Sequence, residues 1–409
     1  MAVGRSGTKA ELNALYTVIL IDSISYALIV PFLPFLLMDI GAGAALGGAV
    51  VTVHALTSVL SAPIMGRLSD RFGRKPLLII TLVGTLISYL LFAVSSNLAM
   101  LIFARALAGA MAGNLGVVHA ALADATSEEE RGKAMSFATA VWALGFVVGP
   151  GLGALLTLTS LNHQAIAPGV LAAVATSVSI LLVSRFVIEP TSRGSEPAPT
   201  DSLPAAGVQG QHVLLLTLLV LLALCQSGLV AMTGFWSHET MGWSARGVSL
   251  FMLWVAATIV PFQAVVMPRL FDRFTSPAIL SAGLTACAAA SLTLYFVSGN
   301  LVAVCIGAAV LFCGITGNQA VVDTMLSRSA TSGGQGRVMG LAMGAGALGR
   351  VIGPTSFGWI FASQGAQSPY LTASVIALLG LGLLLASPTL RRPGAGGPPD
   401  TVEASLSAD

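Results

Sequence analysis

Twelve apolar stretches, each close to 20 residues long, follow one another along the chain with short polar breaks between them. They lie at about 14–38, 47–68, 77–94, 98–122, 134–158 and 167–188, and then at about 212–236, 247–270, 277–297, 300–324, 337–361 and 369–388. A helix rises about 1.5 Å per residue, so roughly 20 residues cross the hydrocarbon core of a bilayer. In hydrocarbon a chain must satisfy its own backbone polar groups, which leaves only the helix and the closed barrel. Continuous apolar runs of this length select the helix. The sequence therefore predicts an all-α membrane protein with 12 transmembrane helices, numbered spans 1–12 in chain order.

Composition argues against a soluble body. Of 409 residues, 55% are hydrophobic and 9% are charged. Soluble domains are about a quarter charged, and a soluble surface this poor in charge would be one large apolar patch. The net charge of +2 is small and the basic residues form no single cluster, so no nucleic-acid partner is expected. The four cysteines, Cys225, Cys287, Cys305 and Cys313, sit inside apolar runs without metal-ligand spacing and read as small hydrophobes. No metal or cofactor is expected. Arg5 and Lys9 precede a first run too long for a signal peptide, and no small-residue cleavage site follows it.

The basic residues orient the chain. Arg67, Arg71, Arg74 and Lys75 lie between spans 2 and 3, and Arg131 and Lys133 between spans 4 and 5. Arg185 and Arg193 follow span 6, Arg269 and Arg273 follow span 8, Arg328 and Arg337 follow span 10, and Arg391 and Arg392 follow span 12. With an even span count these all fall on one side, and Arg246 is the exception. The positive-inside rule then makes both termini cytoplasmic. Residues 189–211, rich in Pro, Ser, Gly and charge, read as a cytoplasmic linker between an N-terminal bundle (1–188) and a C-terminal bundle (212–390). Residues 391–409 read as a disordered cytoplasmic tail.

The two halves repeat at a shift of 204 residues. Gly132-Lys-Ala-Met leads to Ala143-Leu-Gly-Phe-Val-Val-Gly-Pro150, and Gly336-Arg-Val-Met leads without gaps to Ala347-Leu-Gly-Arg-Val-Ile-Gly-Pro354. Gly113-Asn114 falls on Gly317-Asn318. Arg67-Leu-Ser-Asp-Arg-Phe72 matches Arg269-Leu-Phe-Asp-Arg-Phe274 at a shift of 202. Repeats of six spans, two bundles related by a pseudo-twofold axis, are a transporter architecture in which substrate is handled between the halves.

Several motifs carry a family resemblance. Gly66-Arg-Leu-Ser-Asp70-Arg71-Phe-Gly73-Arg74-Lys75 resembles the loop 2–3 signature of the major facilitator superfamily, G-x-x-x-D-R-x-G-R-R/K. Arg105-Ala-Leu-Ala-Gly109 resembles the R-x-x-x-G motif of its proton-coupled members. Gly145-Phe-Val-Val-Gly149-Pro150-Gly-Leu-Gly153-Ala154 is similar to the antiporter motif G-x-x-x-G-P-x-x-G-G and departs from it at Ala154. Asp22 followed by Leu28-Ile-Val-Pro31-Phe-Leu-Pro34 is similar to the start of twelve-span drug:proton antiporters, such as tetracycline efflux proteins. The resemblance implies proton-coupled efflux of small drugs or antibiotics by alternating access. It also implies a monomer in a bacterial inner membrane and a loop 2–3 cluster acting as a cytoplasmic latch.

The residues have their own physical reading. Asp22 lies about a third of the way into span 1, with Tyr26 one turn on. Low dielectric disfavours an ionised carboxylate, the property a proton carrier needs. Its repeat counterpart, Gln226, is neutral. Arg105, Gly109, Ala112, Gly116 and His119 share a face of span 4. Asp124 and Asp323 sit near the ends of spans 4 and 10 and either serve proton coupling or pair with loop arginines. Gly145, Gly149 and Gly153 form a small-residue stripe for close packing, hinge or seal, and Pro150 removes a backbone donor. Arg350, whose counterpart is Phe146, suggests a partner carboxylate or an anionic group on the substrate. Phe235, Trp236, Phe251, Trp254 and Phe262 are candidates for an aromatic cavity wall. A metabolite or organic-anion carrier and a non-transporting receptor remain rivals, and no catalytic motif points to an enzyme.

Overall fold

A computed structural model of the chain describes residues 8–158, 165–189, 210–297, 299–329 and 335–387, with the side chains of residues 335–337 set aside. Most of the expected linker, the expected tail, Arg5, Arg193, Arg391 and Arg392, and the side chain of Arg337 lie outside this set. The described residues are almost wholly helical. Eleven helical segments among them are long and apolar enough to cross a membrane. The twelfth long helix is Gln335–Gln364 (span 11), whose glycines and Arg350 dilute its apolar character. Large side chains such as Leu60, Phe103, Leu181, Phe296 and Trp359 are more than half exposed. Water would not tolerate so many, and lipid does. The fold is an all-α membrane architecture of two six-helix repeats.

Three spans are broken where the sequence read as continuous. Span 1 is Lys9–Ile29 followed by Leu33–Asp39, with Pro31 and Pro34 at the break. Proline cannot donate a backbone hydrogen bond, so the helix restarts there. Span 4 is Leu98–Met111 followed by Asn114–Asp124. Span 8 is Ala245–Pro261, a π-helical turn at Phe262–Val266, and Met267–Arg273. The other spans are single helices: Ala44–Phe72 (2), Arg74–Ala93 (3), Glu128–Leu156 (5), Ile166–Phe186 (6), Gly210–Met241 (7), Ser276–Phe296 (9), Leu301–Ser329 (10) and Ser368–Ala386 (12).

The chain packs as two compact units. The first gathers spans 1–6 with Ser227–Ala257 and Arg350–Pro369; the second gathers the part of span 7 up to Gln226, Thr258–Gly349 and the chain from Tyr370. Spans 7, 8 and 11 thus each contribute to both.

Within the first unit, span 1 packs on spans 5 and 6, span 2 on span 4, and span 3 on spans 4 and 6. Its core includes Leu15, Val18, Leu78, Val117, Leu122 and Val183. In lipid no hydrophobic force drives helices together, so close backbone approach and dispersion must hold them. Small residues provide that approach. A Cβ on Gly145 would strike Ser23, and one on Gly149 would stand 2.7 Å from the Ala27 Cβ and 2.9 Å from the Ile24 carbonyl oxygen. A Cβ on Gly109 would meet the His54 carbonyl and Thr57 across span 2. Residues 227–257 and 350–369 join the same unit in the same way. Gly48 faces the Pro354 carbonyl, Gly153 faces Ser249, and Thr52 Oγ1 donates to the Val351 carbonyl at 2.9 Å.

The second unit has its own core, including Leu218, Leu222, Leu280, Leu284, Val321 and Met325, with spans 9 and 10 packed together. There a Cβ on Gly349 would stand 2.5 Å from the Val220 carbonyl oxygen. Span 11 therefore rests on span 7 as span 5 rests on span 1.

The close approach of spans 1 and 5 is testable. Gly149→Leu is expected to lower the stability of the folded protein by about 1–3 kcal/mol or more through overpacking. Gly151→Ala, where the nearest atoms are Leu253 methyls at 3.7 Å, is expected to be neutral. Thermal unfolding of the detergent-solubilised protein, monitored by far-UV circular dichroism, reads both.

Candidate functional site

The break in span 4 builds the first part of the site. Gly109 and Gly113, one turn apart, lie against span 2, where Ser61 Oγ donates to the Gly109 carbonyl at 3.3 Å. The helix loosens at Ala112–Gly113 and restarts at Asn114. Asn114 is 2% exposed and lies beside the Asp22 side chain. Asp22 itself is half-buried, deep in the first unit yet not sealed from small probes such as water. Tyr89 of span 3 lies within electrostatic reach of Asp22, Tyr26 and Arg105. These residues make one polar cluster on spans 1, 3 and 4.

Tyr26 connects that cluster to a cavity. The cavity has a volume of about 120 Å³ and lies wholly within the first unit. Its polar wall is Tyr26, His54, Arg105, Ser227 and Arg350; the rest is mainly aliphatic, with Phe235. Arg105 is 4% exposed, with its Cζ 5.9 Å from the Tyr26 ring centroid. His54 Nδ1 lies 3.4 Å from the Arg105 carbonyl oxygen, and the His54 ring stacks at 5.3 Å on Tyr26. The Arg105 Nε and the Asn114 Oδ1 are buried without a hydrogen-bond partner. From Tyr26 a line of rings continues through Phe146 at 5.9 Å to Trp142, a further 4.4 Å from Phe146.

A second arrangement sits at the loop between spans 2 and 3. Arg74 Nη1 donates to Asp70 Oδ1 at 2.7 Å and to Ser69 Oγ at 2.7 Å, and Arg74 Nε donates to Asp124 Oδ2 at 3.2 Å. Glu189, at the end of span 6, accepts the backbone N–H groups of Arg74 and Lys75 at 3.0 and 2.9 Å. A carboxylate at this helix start satisfies two orphan donors and complements the helix dipole. Gly73 has φ +102° and would press on Glu189 if it bore a side chain. Arg71 is exposed, with its Cζ 5.3 Å from the ring of Phe72, and Gly66 has open space where a Cβ would be.

The structure therefore brings together some of the expected residues and separates others. Asp22, Tyr26, Arg105, Arg350 and Phe235 belong to the polar cluster or the cavity. Asp124 is exposed and bonded to Arg74 in the loop network, away from Asp22. His119 is half-buried on span 4 and does not line the cavity. Gln226 lies in the second unit, where Gln319 Nε2 donates to its Oε1 at 3.1 Å, and Asp323 follows Gln319 by one turn of span 10. Trp236 is 1% exposed and donates through Nε1 to Gln367, Phe251 packs on Trp243, and Trp254 is 46% exposed. Phe262 belongs to the π turn and packs on Gly317. Asn114, Tyr89, Ser227 and Glu189 escaped sequence reasoning as site residues. Asn114 had one signal, its conserved place in the repeat opposite Asn318.

An α-helical bundle of this kind, with a polar cavity set among apolar spans, defines a membrane transporter. The sequence model described as Major Facilitator Superfamily matches residues 15–331, and the chain belongs to that family. It is 28% identical over 375 residues to the class D tetracycline resistance protein of Salmonella ordonez, covering 90% of this chain and 93% of that protein. Among solved structures it resembles the human organic anion transporter MFSD10, with a TM-score of 0.64, 22% identity, and 92% and 99% of the two chains covered. It also resembles a bacterial homolog of the human lysosomal transporter Spinster in an inward-facing, occupied conformation, with a TM-score of 0.77, 14% identity, and 93% and 97% covered.

Replacing Glu189 with Ala leaves two backbone donors at the start of span 3 without their acceptor. The expected loss is about 1–2 kcal/mol, in the range of a lost helix cap. Denaturant titration should show it, with Glu189→Asp recovering part of the loss.

Proposed function

We propose that the protein exports small amphipathic, drug-like molecules in exchange for protons, by alternating access. The observation that carries this reading is Asp22. It is a half-buried carboxylate in a membrane helix, beside Asn114 and one turn from the cavity wall at Tyr26. Ionisable groups at such depth are costly and are kept for function. Desolvation holds a carboxylate ready to take up a proton, while a hydrogen-bond donor such as Asn114 steadies the ionised form. The repeat adds support, because the same position in the other half is Gln226, which cannot ionise. One half carries the proton and the other does not.

In this cycle a basic group on the substrate binds beside ionised Asp22 from the cytoplasm. A proton arriving from the other side then neutralises Asp22 and releases the substrate outward. Protons are the coupling species, and the reading needs no metal, nucleotide or covalent step. The distribution of basic residues among the loops supports a cytoplasmic location for both termini. The Arg74 network is then a cytoplasmic clasp, and it would have to act as a group, since single exposed ion pairs are weak. Likeness to tetracycline resistance proteins supports export as the direction and a bacterial inner membrane as the location. The working unit is a monomer.

The test is proton release from proteoliposomes on addition of candidate drugs, comparing the wild type with Asp22→Asn. The expected outcome is drug-dependent proton movement in the wild type alone. If both respond equally, Asp22 is not the carrier. If neither responds to any drug, the export reading fails.

A further inference from the structure

The cavity of the first unit changes character from one end to the other. Along span 1 its lining runs from Tyr26 through Val30 to Leu37, and along span 2 it runs from His54 through Val51 to Gly47. The polar ends meet, with the Tyr26 and His54 rings 5.3 Å apart and the Arg105 Cζ 5.9 Å from the Tyr26 ring. The apolar ends also meet, and Phe235 of span 7 closes them. A Cβ on Gly47 would stand 2.6 Å from Cε2 of the Phe235 ring and 3.4 Å from a Leu37 methyl. Phe235 is 3% exposed, and its ring packs at 6.3 Å on that of Phe361, which is 4% exposed and does not line the cavity. The Phe235 ring is therefore held between the backbone at Gly47 and a second buried ring, and its open side is the cavity. The whole space, about 120 Å³, is close to the size at which an apolar cavity (about 150 Å³) takes up a benzene ring.

We infer that the apolar end is a pocket for one ring-sized group of the transported molecule, and that Phe235 sets its size limit. The step rests on the export reading given above, with this cavity as the place where the molecule is held. The substrate class is then an amphiphile with a single ring, or a branched alkyl group of similar bulk, at one end. Its hydrogen-bonding groups lie at the other end and face Tyr26, His54 and Arg105. A fused ring system places only its terminal ring in the pocket. Phe235 acts through its volume, and Gly47 acts by having no side chain. A methyl group at position 47 would meet the far edge of the Phe235 ring, which can turn, rather than backbone, which cannot. The ring then turns toward its open side and narrows the pocket. In a close-packed wall one methyl group is enough to do this.

Equilibrium binding of 4-phenylbutanamide and 4-(2-naphthyl)butanamide to the full-length protein in nanodiscs tests this, with empty nanodiscs as the blank. The two probes share an uncharged head and a linker and differ by one fused ring, so the comparison does not depend on Asp22. The wild type is expected to bind the phenyl probe at least as tightly as the naphthyl probe, against the order that apolar area alone would give. Phe235→Ala is expected to raise the naphthyl-over-phenyl ratio at least ~10-fold. Gly47→Ala is expected to weaken the phenyl probe at least ~5-fold. Trp254→Ala removes an aromatic ring that does not line the cavity and is expected to keep the wild-type ratio. Because the readout for Phe235→Ala is a ratio within one variant, a change in the active fraction does not produce it. A wild type that binds neither probe, or the naphthyl probe ~10-fold more tightly, overturns the pocket. So does a Phe235→Ala ratio equal to that of the wild type. If the ratios shift as expected while no drug moves protons in proteoliposomes, the pocket stands and the exchange reading falls.

Discussion

A charged side chain inside a bilayer has no water to solvate it, and this cost governs where every ionisable group in the protein sits. The loop arginines and lysines, Arg246 apart, fall after even-numbered spans or before the first, and the long helices between them carry few charges. The exceptions are Asp22, Arg105 and Arg350, and each has a setting that reduces the cost. Asp22 has Asn114. Arg105 has the ring of Tyr26. Arg350 opens on the cavity. None is sealed into an apolar core, where a lone charge would be far more expensive. The cavity gives the arginines that line it a setting less costly than a sealed apolar core.

The same solvent removes the force that packs soluble helices. Leucine gains little by leaving lipid for another leucine, so contact quality decides which helices touch. The glycines at 109, 145, 149 and 349 each let one backbone lie on another at a distance that a methyl group would prevent. These seams also fix the chemistry. Gly109 and Gly113 hold span 4 on span 2, and the helix restarts just beyond them at Asn114, facing Asp22. A sequence rule about small residues thus ends in the placement of a hydrogen bond.

The spans and the repeat were readable because they depend on properties a sequence carries directly: apolar length, loop charge and spacing. Interruptions were less so. Pro31 and Pro34 give span 1 a visible reason to break. The break in span 4 has no proline, and its glycines are also common in unbroken membrane helices. Asp22 and Arg105 stood out because ionisable residues are rare in spans. Aromatic residues are not rare there, so Trp236, Phe251 and Trp254 were not separable from Phe235 by type. Only packing shows that Trp236 is committed to Gln367 while Phe235 reaches the cavity. Glu189 was hidden in a segment rich in loop residues, since its meaning depends on the start of span 3 being folded beside it.

The duplicated architecture makes the functional residues stand out as failures of symmetry. Positions that serve the scaffold agree between the halves: Gly145 with Gly349 and Pro150 with Pro354. Positions that carry charge in the spans disagree: Asp22 with Gln226, Arg105 with Ala309, Arg350 with Phe146. A symmetric scaffold needs the first set twice, because each half must pack and bend in the same way. Under the proposed exchange cycle a proton site is needed only once, since a second titrating carboxylate would add a second proton and a second desolvation cost. In the second unit, Gln226 and Gln319 satisfy each other with a neutral hydrogen bond where the first unit pairs a carboxylate with an amide. The neutral pair keeps the polar link between two spans without its charge, and under the proposed exchange cycle the handling of protons falls to the half that holds Asp22.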